Sequence, residues 1–375
     1  MKLSRQAVLA TACTLISSTA LAQGSNSVDL SINHVGISIG DSRENIGLRL
    51  NYRDRYLREA KGINATMWIP YEESRGDVTG LALGLPATGA RRIDGIAAGI
   101  IGVGANDRIR GLALGGIGMG VGEDMEGIAI GGIGLGTGRD LKGIALGGIG
   151  LGVGQDLKGA GIGGIGMGIG QDAKGLIAGG IGAGVGNDLT GIGIGGVGIA
   201  AGGNAKGILI GGVGAGVGND LTGISIAGIG IGAGNDVKGL TITGIGFGAG
   251  GDVTGVQVAG IGIGAGGTLK YLSIAGAGIG APSIRGVAAA AAVGSEDVRG
   301  LVIAPVYFRI ANHGTVRGVN LSAFNNVQGT QQGLAIGILN IARNLDGVQL
   351  GLLNYAGNKR HGKLLPIVNY AKARR

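Results

Sequence analysis

The sequence predicts an all-β fold, a glycine-rich β-solenoid of 16-residue coils with atypical capping coils. Three observations carry the prediction: a fixed repeat, an alternation of apolar residues with one change of phase, and more glycine than a helix tolerates. A unit close to x-D-L-K-G-I-A-I-G-G-I-G-L-G-V-G recurs without insertion from Arg108 to about Ala281. Its opening slot reads Arg108, Asp124, Asp140, Asp156, Asp172, Asp188, Asn204, Asp220, Asp236, Asp252 and Thr268, always 16 apart, so each unit is one copy of one module.

Within a unit, Ile128 and Ile130 share one parity, while Ile133, Leu135 and Thr137 share the other. Two short strands separated by a bend at Gly131-Gly132 account for the switch, because strand side chains alternate faces and a Gly-Gly step turns the chain. A helix does not: the apolar spacing lacks a 3.6-residue period, and each interior glycine would cost it roughly 1 kcal/mol. Glycine supplies 89 of 375 residues and proline only 5, but a period of 16 excludes collagen. Branched aliphatics returning at fixed slots likewise argue against glycine-rich disorder. Units stacked in register pair strand on identical strand in parallel, so like slots form columns.

Comparison of units suggests which slots face the core. The slot after the bend, Ile117, Ile133, Ile149, Ile165, Ile181, Val197, Val213, Ile229, Ile245 and Ile261, is uniformly branched and is expected to be a core ladder. The slot between the first-strand aliphatics runs Ala113, Ala129, Ala145, Gly161, Ile177, Gly193, Leu209, Ser225, Thr241, Gln257 and Ser273; its tolerance of polar groups suggests that it faces outward. About six inward side chains per coil are expected on that assignment, too few to hold a lone coil, so the array should be cooperative. Gly134, Gly136 and Gly138 recur as outward glycines, making Gly134, Gly150, Gly166 and Gly182 a candidate flat contact face.

The chain opens with Lys2 and Arg5, runs apolar from Ala7 to Ile16 and reaches Ala20-Leu21-Ala22, the pattern of a secretory signal peptide at residues 1–22. Export to the periplasm, outer membrane or cell surface is therefore expected. The single cysteine, Cys13, lies inside that leader, so the exported chain should carry no disulfide. Residues 23–107 form irregular repeats and a cap, residues 108–281 the regular array, and residues 282–375 further irregular repeats, a cap and a basic tail. Before the array, Lys61, Thr79, Asp94 and Arg110 mark intervals of 15 to 18; after it, Arg285, Arg299, Arg317, Gln332 and Asp346 mark intervals of 14 to 18. Trp68, Tyr307, Phe308, Phe324 and Tyr355 lie in these flanks, where large side chains are expected to seal the ends.

The formal charge of +8 concentrates near Arg49 to Lys61 and in the tail from Lys359 to Arg375. Anionic envelope lipid is a possible partner of that tail; nucleic acid is excluded by the lack of aromatic platforms in the array. The opening-slot aspartates, Asp124, Asp140, Asp156, Asp172, Asp188, Asp220, Asp236 and Asp252, form a polar corner with Lys142, Lys158, Lys174, Lys206, Lys238 and Lys270 nearby. Structural turn chemistry is expected there.

Motifs for chemistry are sparse. Gly36-Ile37-Ser38-Ile39-Gly40 fits a nucleophile elbow but lies in an alternating strand-like run, and Gly357 to Lys363 spells a P-loop whose hydroxyl residue is replaced by Leu364. No His/Cys cluster has metal-ligand spacing, so neither cofactor nor catalytic residue is expected. Gly184 to Leu189, Gly216 to Leu221 and Gly232 to Val237 resemble half of the calcium-binding nonapeptide of secreted toxins, which makes a calcium-binding solenoid an alternative. One Asp per 16 residues beside a Lys departs from that pattern.

In the C-terminal portion, Gly333-Leu334-Ala335-Ile336-Gly337-Ile338-Leu339-Asn340-Ile341-Ala342 and Gly347-Val348-Gln349-Leu350-Gly351-Leu352-Leu353-Asn354-Tyr355-Ala356, followed by Leu365-Pro366-Ile367-Val368-Asn369-Tyr370, resemble bacterial surface repeat-containing proteins of the leptospiral type. The resemblance implies an envelope or surface setting and supplies no catalytic residues. The expected function is thus a non-enzymatic envelope repeat protein presenting flat glycine faces to itself or to an envelope component. The rival fold is an outer-membrane β-barrel, one strand per repeat; the array's lack of aromatic girdles and the closing Lys372-Ala373-Arg374-Arg375 argue against it.

Overall fold

A computed structural model describes residues 27–70, 75–311 and 313–372. The expected leader and the end of the basic tail lie outside the described residues. All regular secondary structure among the described residues is β, in 34 strands, and the architecture is a β-solenoid of about 19 coils. The chain divides into two units, Met1–Gly179 and Gly180–Arg375.

In the first unit the parallel ladder sets Lys61 opposite Thr79, then Asp94, Arg110, Glu126, Lys142, Lys158 and Lys174 in turn. In the second, the ladder from Thr190 passes through Lys206, Thr222, Lys238, Thr254, Lys270, Arg285, Arg299, Arg317 and Gln332 to Asp346. Each irregular flank is therefore built of coils stacked on the regular ones of its own unit, and the altered spacing is absorbed by register shifts inside strands, as between Ala90 and Arg92 and between Val327 and Thr330. Antiparallel strands close the described chain. Ser27–Ile32 folds onto Val35–Gly40 through a turn with positive φ at Asn33 and His34, the backbone of a two-residue hairpin. Leu364–Ala371 runs antiparallel to Leu339–Ala356.

The coil beginning at Asp140 illustrates the design. Strand Leu141–Gly147 and strand Gly150–Val153 bury Leu141, Ala145, Leu151 and Val153, four side chains in place of the six expected. A cross-section that narrow requires backbone to approach backbone. At Gly143, φ is +129°, and a Cβ there would collide with the Gly127 carbonyl oxygen of the preceding coil. Gly148 has the same relation to the Gly132 carbonyl at the bend.

The facing of the two diagnostic columns is opposite to expectation. Ile149 is 48% exposed, and Ile117, Ile133, Ile165, Ile181, Val197, Val213, Ile229, Ile245 and Ile261 are similar, so this column is an outer ridge. Ile128 and Ile130 also face solvent. Ala113, Ala129, Ala145, Ile177, Leu209, Ser225, Thr241, Gln257 and Ser273 are buried instead. Volume is the physical reason. Where this inner slot holds Leu209, its neighbours Ala205 and Ala215 are small; where it is Gly193, Leu189 and Ile199 fill the space. An interior of four side chains, or five where Ala227, Thr243, Ala259 or Ala275 replaces the glycine before the bend, has to trade size among slots, whereas an outer ridge can repeat one branched residue unchanged. In this slot polar residues meet between coils: Ser225 and Thr241 hydroxyls are 3.4 Å apart, and the Gln257 amide nitrogen donates to Ser273 Oγ at 3.2 Å and to the Leu272 carbonyl at 3.1 Å.

Near the ends the core changes from aliphatic to hydrogen-bonded polar groups. Arg49 is fully buried, bonded to Asp54, to Asp41 at 3.2 Å and to Asn64 Oδ1 at 2.9 Å. In the last coils Asn325, Asn340, Asn354 and Asn369 form a buried column; Asn325 Nδ2 donates to Asn340 Oδ1 at 2.6 Å and Asn340 Nδ2 to Asn354 Oδ1 at 2.7 Å. Phe308 is buried, but Tyr52, Tyr56, Tyr355 and Tyr370 are exposed, so polar ladders more than aromatics fill the terminal interiors.

Candidate contact faces

Each regular coil presents three outward features. On the first strand, Lys142, Ile144 and Leu146 point away from the core. At the bend stands the Ile149 ridge. On the second strand Gly150 and Gly152 alternate with buried Leu151 and Val153 and leave the outer side bare. Alternation thus turns a short strand of the form Gly-x-Gly-x into a one-sided sheet with no outer side chains.

Among the candidate glycines, Gly134 and Gly150 face outward, where an added Cβ would come no nearer than 4.0 and 3.9 Å to the next coil's carbonyl oxygen. At Gly182 the corresponding approach is 3.6 Å, ordinary van der Waals contact, and Gly166 occupies the same outward position on its strand. At Gly136, Gly152, Gly168 and Gly184 a Cβ would meet nothing within 4 Å. None of these residues has a left-handed φ. Gly138, grouped with them from sequence, differs: it lies at a corner, and a Cβ there would strike the Gly122 carbonyl. Its glycine is explained by coil stacking.

The polar corner is built by the opening-slot aspartates. Asp124 Oδ1 accepts the backbone N–H of Asp140 at 3.4 Å, Asp140 that of Asp156 at 3.3 Å, and Asp156 that of Asp172 at 3.2 Å. In the second unit Asp188 accepts from Asn204, Asp220 from Asp236, Asp236 from Asp252, and Asp252 from Thr268. Asn204 substitutes without loss because its Oδ1 accepts the Asp220 N–H at 3.2 Å. From Asp124 to Asp156 and from Asp188 to Asp252 the slot thus supplies an acceptor oxygen to the next coil.

Electrostatics fits that role. Asp252 is held below the ordinary carboxylate range by the Lys270 ammonium, which donates at 2.9 Å, and by the Thr268 N–H. Partial burial opposes the same shift at Asp124, but the Arg139 guanidinium and the Asp140 N–H outweigh it and lower its pKa. Glu126 is lowered chiefly by its hydrogen bond from Arg110. Among the described residues no group of three or more His, Cys, Asp and Glu side chains is placed to hold a metal ion.

The two enzyme-like motifs are occupied by structure. Ser38 Oγ is buried 2.6 Å from Asp29 Oδ1 and 2.8 Å from Ser42 Oγ, within the polar packing around Arg49. Gly357 to Lys363 is the connection between two antiparallel strands. Sequence reasoning missed the outward Ile144 and Leu146 columns and the ridge at Ile149; the concerted size changes at Ala205, Leu209 and Ala215 were the signal that could have found them. Comparison with protein-family models, with curated proteins and with solved structures finds no match.

Proposed function

We propose that this chain is a non-enzymatic, exported repeat protein of the bacterial envelope or surface that assembles with further copies of itself through its glycine face. The observation that carries the reading is the open space over Gly136, Gly152 and Gly168 in the first unit and over Gly184, Gly216, Gly232, Gly248 and Gly264 in the second. Glycine in a strand costs roughly 0.5–1 kcal/mol of stability, and here neither φ nor stacking demands it. A face without side chains lets another sheet approach closer than the usual ~10 Å. Such a surface is complementary to itself, as a two-fold interface requires. The basic and apolar leader followed by Ala20-Leu21-Ala22 supports export.

Replacing Gly134, Gly150, Gly166 and Gly182 together by Thr tests the reading. Thr favours strands and has room at these positions, so circular dichroism should be unchanged. Sedimentation should show the native chain self-associating and the variant as monomer. Equal association of the folded variant would refute the glycine interface.

A further inference from the structure

We infer that the first-strand face of the second unit is a docking surface for an anionic lipid membrane. Its outer edge is the ladder Lys206, Thr222, Lys238, Thr254, Lys270, Arg285, Arg299 and Arg317, six cations and two hydroxyls without one acid. Beside it, on the same strands, run Ile208 and Ile210, Leu240 and Ile242, Leu272 and Ile274, and Leu301 and Ile303, all half-buried or exposed.

Three features of this face point to lipid. First, the ladder is poorly neutralised: among the described residues, Lys270 alone of the six cations pairs with a carboxylate, that of Asp252. The nearby Asp297 accepts the Thr315 N–H, which leaves its Oδ1 engaged in the backbone. Lys270, Arg285, Arg299 and Arg317 occupy consecutive coils about 4.8 Å apart, a spacing at which like charges repel. Asp252 offsets it at Lys270 and the Gln332 amide oxygen accepts from Arg317 at 2.7 Å, but Arg285 and Arg299 between them pair with no carboxylate among the described residues, and a sheet of anionic headgroups would relieve the whole row. Second, two aliphatic columns adjoin the cations, so shallow burial in the acyl boundary is available while the long cationic side chains reach the headgroups. A second copy laid on this face would oppose cations to cations or to apolar residues.

Third, Tyr271 stands beside Lys270 in the slot where the adjacent coils place Gly255 and Gly286. Its φ is +82° and it is 68% exposed. A bulky residue in that conformation is strained, and the fold gains no core contact from so exposed a ring. An aromatic with an apolar body and a polar tip suits a membrane–water interface.

The face is separate from the glycine face, so the two readings stand or fall independently. The test is flotation of the full chain with vesicles of phosphatidylcholine alone or with phosphatidylglycerol. Binding is expected to the anionic vesicles only and to weaken with salt. The exposed triple variant Lys238→Gln, Arg285→Gln, Arg299→Gln should partition about a hundredfold more weakly, since each cation near an anionic surface is worth about a factor of five. Ile242→Thr, Ile274→Thr and Ile303→Thr together should reduce the fraction that remains bound in high salt, and Tyr271→Gly should weaken binding further. The inference is overturned by no binding to anionic vesicles, or by full binding of the folded cation variant. It is also overturned if only Lys359→Gln, Arg360→Gln and Lys363→Gln in the tail abolish binding, or if the face variants change self-association and leave lipid binding intact.

Discussion

Gly161 stands opposite Ile177 in the parallel ladder, and the space its missing side chain leaves is filled by Met167 and Leu157. A Cβ at Gly161 would collide with Met167 Cε and lie 2.7 Å from Leu157 Cδ1. Gly161→Leu should therefore overpack the coil and lower stability by about 1–3 kcal/mol. Adding Met167→Ala copies one of the two small neighbours of Leu209, Ala215, while Leu157 still fills the slot of Ala205, and should recover part of the loss. Chemical denaturation of the single and double variants measures the coupling; purely additive effects would contradict size exchange within the coil.

The repeat register was legible because Lys61, Thr79, Asp94 and Arg110 fall opposite one another, as do Arg285, Arg299, Arg317, Gln332 and Asp346. Facing is not legible in the same way, because uniformity along a column does not imply burial. Ile133 repeats unchanged since solvent imposes no volume limit, whereas Ala145 and Leu209 occupy one inner slot whose neighbours adjust. Of the candidate faces, the bare glycines could be read from their alternation with larger residues. The cation-edged aliphatic face could not, because aliphatic columns such as Ile208 and Ile210 have the composition of a core although they lie on the outer side of the strand.

Register makes a deletion prediction. Removing residues 140–155 takes out one coil and brings Ala129 opposite Gly161, preserving every ladder and the fit beside Ile177. That variant should fold with its melting temperature lowered only slightly. Removing residues 140–147 leaves half a coil, which sets a Gly-Gly bend against a strand at the junction, and should lower stability and solubility far more than removing the whole coil. Circular dichroism and solubility distinguish the two.

Glycines of different geometry should respond oppositely to the same change. Gly152→Ala adds a methyl group in open space and should leave stability level or raise it by up to about 1 kcal/mol. Gly148→Ala drives a Cβ into the Gly132 carbonyl oxygen and should lose several times that amount or fail to fold. Equal melting temperatures would mean that the bend does not require close coil contact.

The corner should make stability depend on acid. Asp252 is depressed by Lys270 and the Thr268 N–H, and Glu126 by Arg110. A carboxyl lowered in the folded state stabilises above its unfolded pKa, near 4, and that contribution disappears as pH falls through the lower folded value. Melting temperature should thus hold from about pH 7 to 5 and drop below about pH 4. Asp252→Asn, like Asn204, keeps an acceptor for the next N–H and should lose part of this acid dependence while remaining folded at pH 7. Since these oxygens bind backbone, melting curves in calcium and in EDTA should coincide; a calcium-dependent rise of more than about 10 °C would assign the corner to metal.

Tyr271 offers a separation of stability from binding. It occupies, at φ of +82°, a slot in which Gly255 and Gly286 on either side also have positive φ, +134° and +133°. Releasing a strained non-glycine φ is worth about 1–3 kcal/mol, and an exposed ring contributes little packing in return. Tyr271→Gly should therefore raise the melting temperature while reducing attachment to anionic vesicles. A rise in stability with unchanged attachment would leave the strain without its interfacial role, and a fall in stability would show that the ring packs on the coil surface. The expected pairing, a more stable chain that binds less, is the signature of a residue kept for contact at the expense of the fold.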